Sequence, residues 1–372
     1  MTIQPLDVPA GFGFTSDHDL LRKTARKVLD ERCPMTAVRR LIDDPLGYDP
    51  ALWRELAGLG WVGLGVSERA GGAGLDHLSL ALLFEEAGRC LLPAPLLPAT
   101  LAALAVDAAG SDARAIVDGQ PLATVALAEP GGHWAPVVTA TAQRDGDEWI
   151  LDGNKAHVLW GADAGLVIAP FLCDTELALF AVPLPAGGVF VDREVGVDST
   201  RRMARLHFRG ARVPANACLS ADARPLCQSL HVRAYLLLAA EMIGAATAML
   251  LRTRDYAVDR IQFDRPIGAF QAVKHPLVNV LIATEQARNL VHAAAALLDA
   301  GSPRAATAAH MAKAAAGDAL SLAADRGVQL HGGFGFTWDC DAHLFFKRAL
   351  WSNATLGDPA WHRRQLAATL LG

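Results

Sequence analysis

The sequence predicts an α+β chain in three parts. A helical domain covers residues 1–120, a β domain of barrel or sandwich type covers 121–220, and a helical bundle covers 221–372. Three observations carry this. Apolar residues recur at helical spacing in the first part; short β-prone runs broken by Pro, Gly and Asp fill the second; long Ala- and Leu-rich stretches fill the third. A length of 372 residues exceeds what one simple core supports.

Ser16 is read as the cap of a first helix, in which Leu20, Leu21, Ala25, Val28 and Leu29 keep helical spacing. Asp49 to Gly58 reads as a second helix with Pro50 in its first turn. Further helices are expected over 76–91 and 99–109. Strands are expected at 124–130, 148–161, 165–171, 177–184 and 188–195, with a hairpin turn at 144–147. Long helices follow over about 225–260 and 267–300, and a third starts at Ser302-Pro303 and runs to about Leu330. A shorter one is expected over 342–350.

Composition narrows the function. Hydrophobic residues make up 52% of the chain, far above a disordered one. Thirty-four Lys and Arg against thirty-nine Asp and Glu leave −5, which argues against a broad nucleic-acid surface. No uninterrupted apolar run is long enough for a membrane span, and the N-terminus has no basic-then-apolar secretory pattern. Six cysteines without CxxC spacing read as reduced thiols, which leads us to expect a cytoplasmic protein.

Four segments carry candidate chemistry. Gly58-Leu59-Gly60-Trp61-Val62-Gly63 matches GxGxxG but follows a helix, so it reads as a helix end and tight connection, not a dinucleotide turn. Gln329-Leu330-His331-Gly332-Gly333-Phe334-Gly335-Phe336 places three glycines where a long helix stops: a cap, or a close backbone approach to a ligand. Asp339, beside Phe334, Phe336 and Trp338, is either a base whose carboxyl is raised by aromatic surroundings or a solvated acid before the next helix. Asp339, Cys340, Asp341 and His343 lack matched partners elsewhere for a metal site. Arg260, Phe263, Arg265, Phe270 and Gln271 surround a helix break: an inter-helix turn, or a diphosphate and ring contact.

The pieces in this order resemble the acyl-CoA dehydrogenase family, over almost the whole chain. Residues 260–275 look like its R-x-x-F-G-x-x-I-x-x-F-Q, with Asp264 in place of the glycine, and 329–339 like its Q-x-x-G-G-x-G-[FY]-x-x-E. The wording around residues 90 and 340 is similar to the actinobacterial branch that includes steroid side-chain dehydrogenases. The resemblance implies a helical domain, a β-barrel and a four-helix bundle holding FAD. It implies that Arg260, Phe263 and Gln271 meet the FAD of a partner subunit and that Gln329, Gly332 and Gly333 line its pyrophosphate and ribose. The implied reaction is α,β-desaturation of an acyl-CoA, with electrons passed to an electron-transferring flavoprotein and Asp339 in the place of the family's glutamate base.

The family's other base position falls on Ala234, while Glu241 is expected to pack or pair inside the bundle. Aspartate shortens the reach by about 1.3 Å. Ala128-Glu129-Pro130 and His157-Val158-Leu159-Trp160-Gly161 lack the hydroxyls that the family aims at the flavin. The implied assembly is a homo-oligomer or a heterotetramer with a homologous chain. The alternatives to a dehydrogenase are a structural subunit of such a heterotetramer and a nitroalkane-oxidase-like enzyme. Small side chains at Ala234, Ala239 and Ala240 could leave room for a bulky acyl group, though alanine is also simply a good helix former.

Overall fold

The computed structural model describes residues 13–131 and 137–371. The N-terminal stretch read for a secretory signal lies almost wholly outside these. Two compact units interleave along the sequence: a helical unit made of residues up to 39, 76–92 and from 235 onward, and a mixed unit made of 40–75 and 93–234.

The helical unit begins with α1 (Ser16–Arg32) and the first half of α2 (Met35–Ile42). Thr15, not Ser16, caps α1: its hydroxyl accepts from the His18 N–H, and the His18 ring accepts from the Thr15 N–H. This capping box moves the cap one residue upstream of the expected one. The mixed unit contributes α3 (Pro50–Gly58), with Asp49 as N-cap and Pro50 in its first turn. Gly60 follows it at φ +77°, with its N–H on the Ala57 carbonyl. The GxGxxG match is thus a helix stop.

α4 (His77–Arg89) returns to the helical unit and is buried over nearly its whole length. α5 (Leu96–Ala108) and the short α6 (Arg114–Val117) belong to the mixed unit.

The β layer of the mixed unit is one eight-stranded sheet. Its strands are β1 (Ala123–Val125), β2 (Thr141–Asp145), β3 (Glu148–Leu159), β4 (Leu166–Cys173), β5 (Glu176–Pro183), β6 (Val189–Glu194), β7 (Met203–Pro214) and β8 (Cys218–Ser220). The order is β6-β7-β3-β2-β4-β5-β8, with β1 added in parallel on β4. β2 and β3 meet at the expected hairpin, where Asp145 faces Glu148 and Gly146 sits at φ +60°. Phe171 packs edge-on against Phe180 and Phe208 at the centre of this sheet's core.

α7 (Arg224–Asp259) is long and apolar enough to cross a membrane, but 83% of its most apolar window is buried in the protein. It reads as a core helix. A two-stranded hairpin follows, β9 (Ile261–Gln262) and β10 (Arg265–Pro266). Then come α8 (Gln271–Asp299), α9 (Ala305–His331), α10 (Ala342–Ala354) and α11 (Pro359–Leu371). α9 packs on α8, α10 and α11. α4 crosses α7 so closely that a Cβ at Gly88 would meet the Glu241 carbonyl, and one at Gly244 the Glu85 carbonyl.

Candidate functional site

α7 ends at Asp259 and the chain reverses through the β9–β10 hairpin. Its two loop residues, Phe263 and Asp264, both adopt left-handed conformations, at φ +54° and +61°. That is the turn type right-handed strand twist favours. Aspartate, a tolerant residue at positive φ, suits position 264 in this turn. Phe263 meets the Phe270 ring edge-on and is 85% exposed.

α9 ends in the glycine turn. Gly332 sits at φ +62° and ψ −146°, a conformation open almost only to glycine. Gly333 has ordinary backbone, and a Cβ there would meet nothing within 4 Å. Packing within the chain therefore does not require glycine at 333; open space lies in front of it.

These two segments share one cleft of about 570 Å³. Arg260, Gln329, Gly332 and Gly333 line it, together with Tyr256 and His331. Phe263 stands on the neighbouring hairpin and Gln271 opens α8; neither lines the cleft. The Arg260 guanidinium has no carboxylate partner among the described residues. His331 stacks on Tyr256 with ring centres 4.3 Å apart, and its Nδ1 lies 2.7 Å from the Gly327 carbonyl. Burial pushes the imidazole below its ordinary range, while the Gly327 carbonyl opposes the shift. A neutral ring that donates from Nδ1 leaves Nε2 as an acceptor.

Asp339 follows the glycine turn and is exposed, as are Phe336 and Trp338, at 79% and 63%. The aromatic enclosure expected around it is not found among the described residues: Phe334, Phe336 and Trp338 face outward. Trp338 packs instead against His343, and Lys347 lies over its ring at 4.7 Å. Asp341, two residues on, is held by Arg39 and Arg252. Among the described residues no group of three or more His, Cys, Asp or Glu is arranged for a metal. Ala234, Ala239 and Ala240 are fully buried, so they pack the interior and line no open space. Glu241 is buried as well.

In the mixed unit, Ala128 bridges to Ala156, and Glu129 turns inward onto Lys155. The Lys155 Nζ lies 2.6 Å from Glu129 Oε1 and 2.7 Å from the Pro170 carbonyl, with Lys155 wholly buried. Burial would raise the Glu129 carboxyl, but the Lys155 ammonium and the Thr139 hydroxyl and amide outweigh it and hold it low. Burial draws the Lys155 ammonium down despite Glu129. This pair ties Glu129 to β3 two residues ahead of His157. Sequence reading missed it; its signal was a lysine inside an otherwise β-prone run. Between Lys155 and Val158 the β3–β7 register shifts, with His157 at φ +55°. Such irregularities re-aim side chains.

Residues 15–115 match the family described as acyl-CoA dehydrogenase, N-terminal domain, and residues 232–371 match its C-terminal domain. The acyl-CoA dehydrogenase IpdE2 of Mycobacterium tuberculosis is 34% identical over 94% of this chain and 96% of its own length. The chain belongs to the acyl-CoA dehydrogenase family. IpdE2 of Mycolicibacterium smegmatis is 33% identical over 95% of this chain and 99% of its own. Among solved structures, a variant of the Tcur3481-Tcur3483 steroid acyl-CoA dehydrogenase superposes at TM-score 0.88, with 30% identity over 95% of this chain and 98% of that one. The ChsE4-ChsE5 complex from Mycobacterium tuberculosis does so at 0.89, with 25% identity over 97% and 99%.

An acyl-CoA dehydrogenase is an oxidoreductase acting on acyl-CoA, and its cofactor is FAD. The residues of the cleft fit that group. A guanidinium without a carboxylate partner suits a diphosphate, and the uncovered Gly333 backbone admits close approach.

Proposed function

We propose that this chain takes part in α,β-desaturation of a bulky, steroid-derived acyl-CoA, with Asp339 as the base and an electron-transferring flavoprotein as electron acceptor. One observation carries the reading. The turn ending α9 has an uncovered Gly333 at its start and an exposed carboxylate, Asp339, six residues along. Asp339 is also the acid at the family's base position, since the alternative position is Ala234.

Arg260 would bind the diphosphate of a neighbouring subunit's FAD, with Gln329 and the Gly332-Gly333 backbone lining that same cofactor's pyrophosphate and ribose. Phe263 and Gln271, on the hairpin and at the start of α8, would meet the cofactor of a neighbouring subunit. FAD held there would supply the hydride-accepting chemistry for the substrate's β-hydrogen. Asp339 takes the α-proton on its carboxylate, and a substrate lying against Phe336 and Trp338 would exclude water from that transfer. The bulky acyl class is supported by the steroid dehydrogenase among the structural relatives.

A second reading is that the chain mainly completes a heterotetramer with a homologous chain. The shortened acid and the two-protein complexes among the relatives favour it. The visible spectrum of the purified protein, alone and co-expressed with a homologous chain, tests both. A flavin band bleached by acyl-CoA under anaerobic conditions supports the base role. Bleaching that survives Asp339→Asn in the co-expressed pair assigns catalysis to the other chain. Bleaching by a nitroalkane alone would point to the third class of enzyme.

A further inference from the structure

The segment that carries Asp339 is held from both sides. Arg39, on α2, donates through Nη1 to the Trp338 carbonyl at 2.5 Å and through Nε to Asp341 Oδ1 at 2.9 Å. Arg252, on α7, donates to the other oxygen, Asp341 Oδ2, at 2.9 Å. One guanidinium thus spans residues 338 and 341, and the base lies between its two anchor points. The Trp338 ring is fixed by His343 and Lys347, and the Cys340 N–H donates to the Thr337 carbonyl at 3.2 Å. Cys340 itself is buried. The Asp339 carboxylate, by contrast, has no hydrogen-bond partner among the described residues.

We infer that Asp341, clamped by Arg39 and Arg252, is a positioning residue that sets the direction of the Asp339 carboxylate. The arrangement suits a base. Its backbone is fixed on both sides, so little of its aim is left to chance, while its oxygens stay free for the substrate proton. The clamp also ties together segments far apart in sequence, since Arg39 and Asp341 are 302 residues apart. With side chains only 28% and 21% exposed, this pair is better shielded than a surface bridge. A short acid increases the need for such aim, because a displacement of about 1 Å can cost about a hundredfold in rate. The inference rests on the reading that Asp339 is the base.

The test is anaerobic rapid-mixing reduction of the FAD-loaded protein, assembled with its homologous chain where needed, by an acyl-CoA that bleaches the parent. Asp341→Asn should slow the limiting reduction rate by about 10- to 100-fold. FAD content, melting temperature and the acyl-CoA dissociation constant should stay near parental. Asp341→Glu should recover part of the rate, and Arg252→Gln, which removes one arm only, should lose less. Amide exchange in the 334–341 peptide should rise in Asp341→Asn.

Equal rates and equal exchange for Asp341→Asn and the parent, alongside an inactive Asp339→Asn, would overturn the clamp alone. An Asp339→Asn as fast as the parent, or a parent that no acyl-CoA bleaches, would overturn the base reading and the clamp with it. A rate loss that tracks lost FAD or a weakened fold would show an ordinary structural bridge and also overturn the inference.

Discussion

The two ends of α9 are built for opposite purposes. Near its start, His310 and His362 face each other Nδ1 to Nδ1 at 2.8 Å, with the Tyr235 ring about 5 Å from each. One turn on, the wholly buried Lys313 donates to the Ser352 and Gly357 carbonyls, both at 3.1 Å. This end is sealed against α10 and α11. The other end stops at Gln329, Gly332 and Gly333, all exposed, beside a guanidinium without a carboxylate partner among the described residues. At the sealed end Lys313 and the His310–His362 pair find partners inside the chain; at the open end Arg260 and the glycine turn face outward, where the proposed cofactor would meet them. The comparison teaches that the two sets should separate cleanly when each is removed.

The largest expected effect is at the sealed end. Lys313→Ala leaves a cavity and two buried carbonyls without a donor, and should cost about 3 kcal/mol of stability. Chemical denaturation should show the loss, while FAD content at low temperature stays near parental. A loss of cofactor without a loss of stability would break the distinction.

At the open end the signs reverse. Arg260→Ala should weaken FAD retention by about tenfold or more, the scale of a charge-assisted hydrogen bond, with an unchanged melting temperature of the apoprotein. Gel filtration followed by the visible spectrum reads this directly.

Acid should act on the sealed end first. Burial pushes His310 down to about 4, and burial with the neighbouring Lys313 and His310 charges pushes His362 down to about 3. The unfolded chain therefore takes up protons first as pH falls. The stability from these neutral rings is complete above about pH 6.5 and is lost between there and pH 3–4. Lys313, drawn down to about 7 by burial against the opposing pull of Asp358, adds stability as pH rises from about 7 towards 10.5. Near-UV circular dichroism of the tryptophans, Trp361 among them, should show α11 loosening below pH 6 at an unchanged far-UV signal from the sheet. A junction unaffected down to pH 3 would contradict the buried neutral rings.

The smallest effect sharpens the open end. Phe263 is a bulky residue at positive φ, so Phe263→Gly relieves local strain while freeing the unfolded chain. The net is a gain of about 0.5 kcal/mol. If Phe263 meets a neighbour's cofactor, FAD retention in the assembled protein should fall even as stability rises.

Much of this was legible in the sequence because it is local. The Pro50 start of α3, the Gly146 hairpin, the long helices and the glycine stop of α9 each follow from residues within a few positions. β7 was missed because arginines and a histidine interrupt its apolar residues, so Met203–Pro214 does not read as a β-prone run. The cap of α1 was misplaced because a histidine side chain, not an acid, closes the box. The Lys155–Glu129 pair and the Arg39–Asp341 clamp join residues 26 and 302 apart, and no local pattern announces such partners. Nor does local pattern show exposure: the rings beside Asp339 suggested an enclosed acid, and in the chain they face outward.

The central claim is that Asp339 removes the substrate proton. Its direct test is the rate of anaerobic flavin reduction by acyl-CoA in Asp339→Asn, which keeps size and removes the base. Asp339→Asn should lose about 10²- to 10⁴-fold with FAD still bound. Reduction at the parental rate would contradict it and place the base elsewhere.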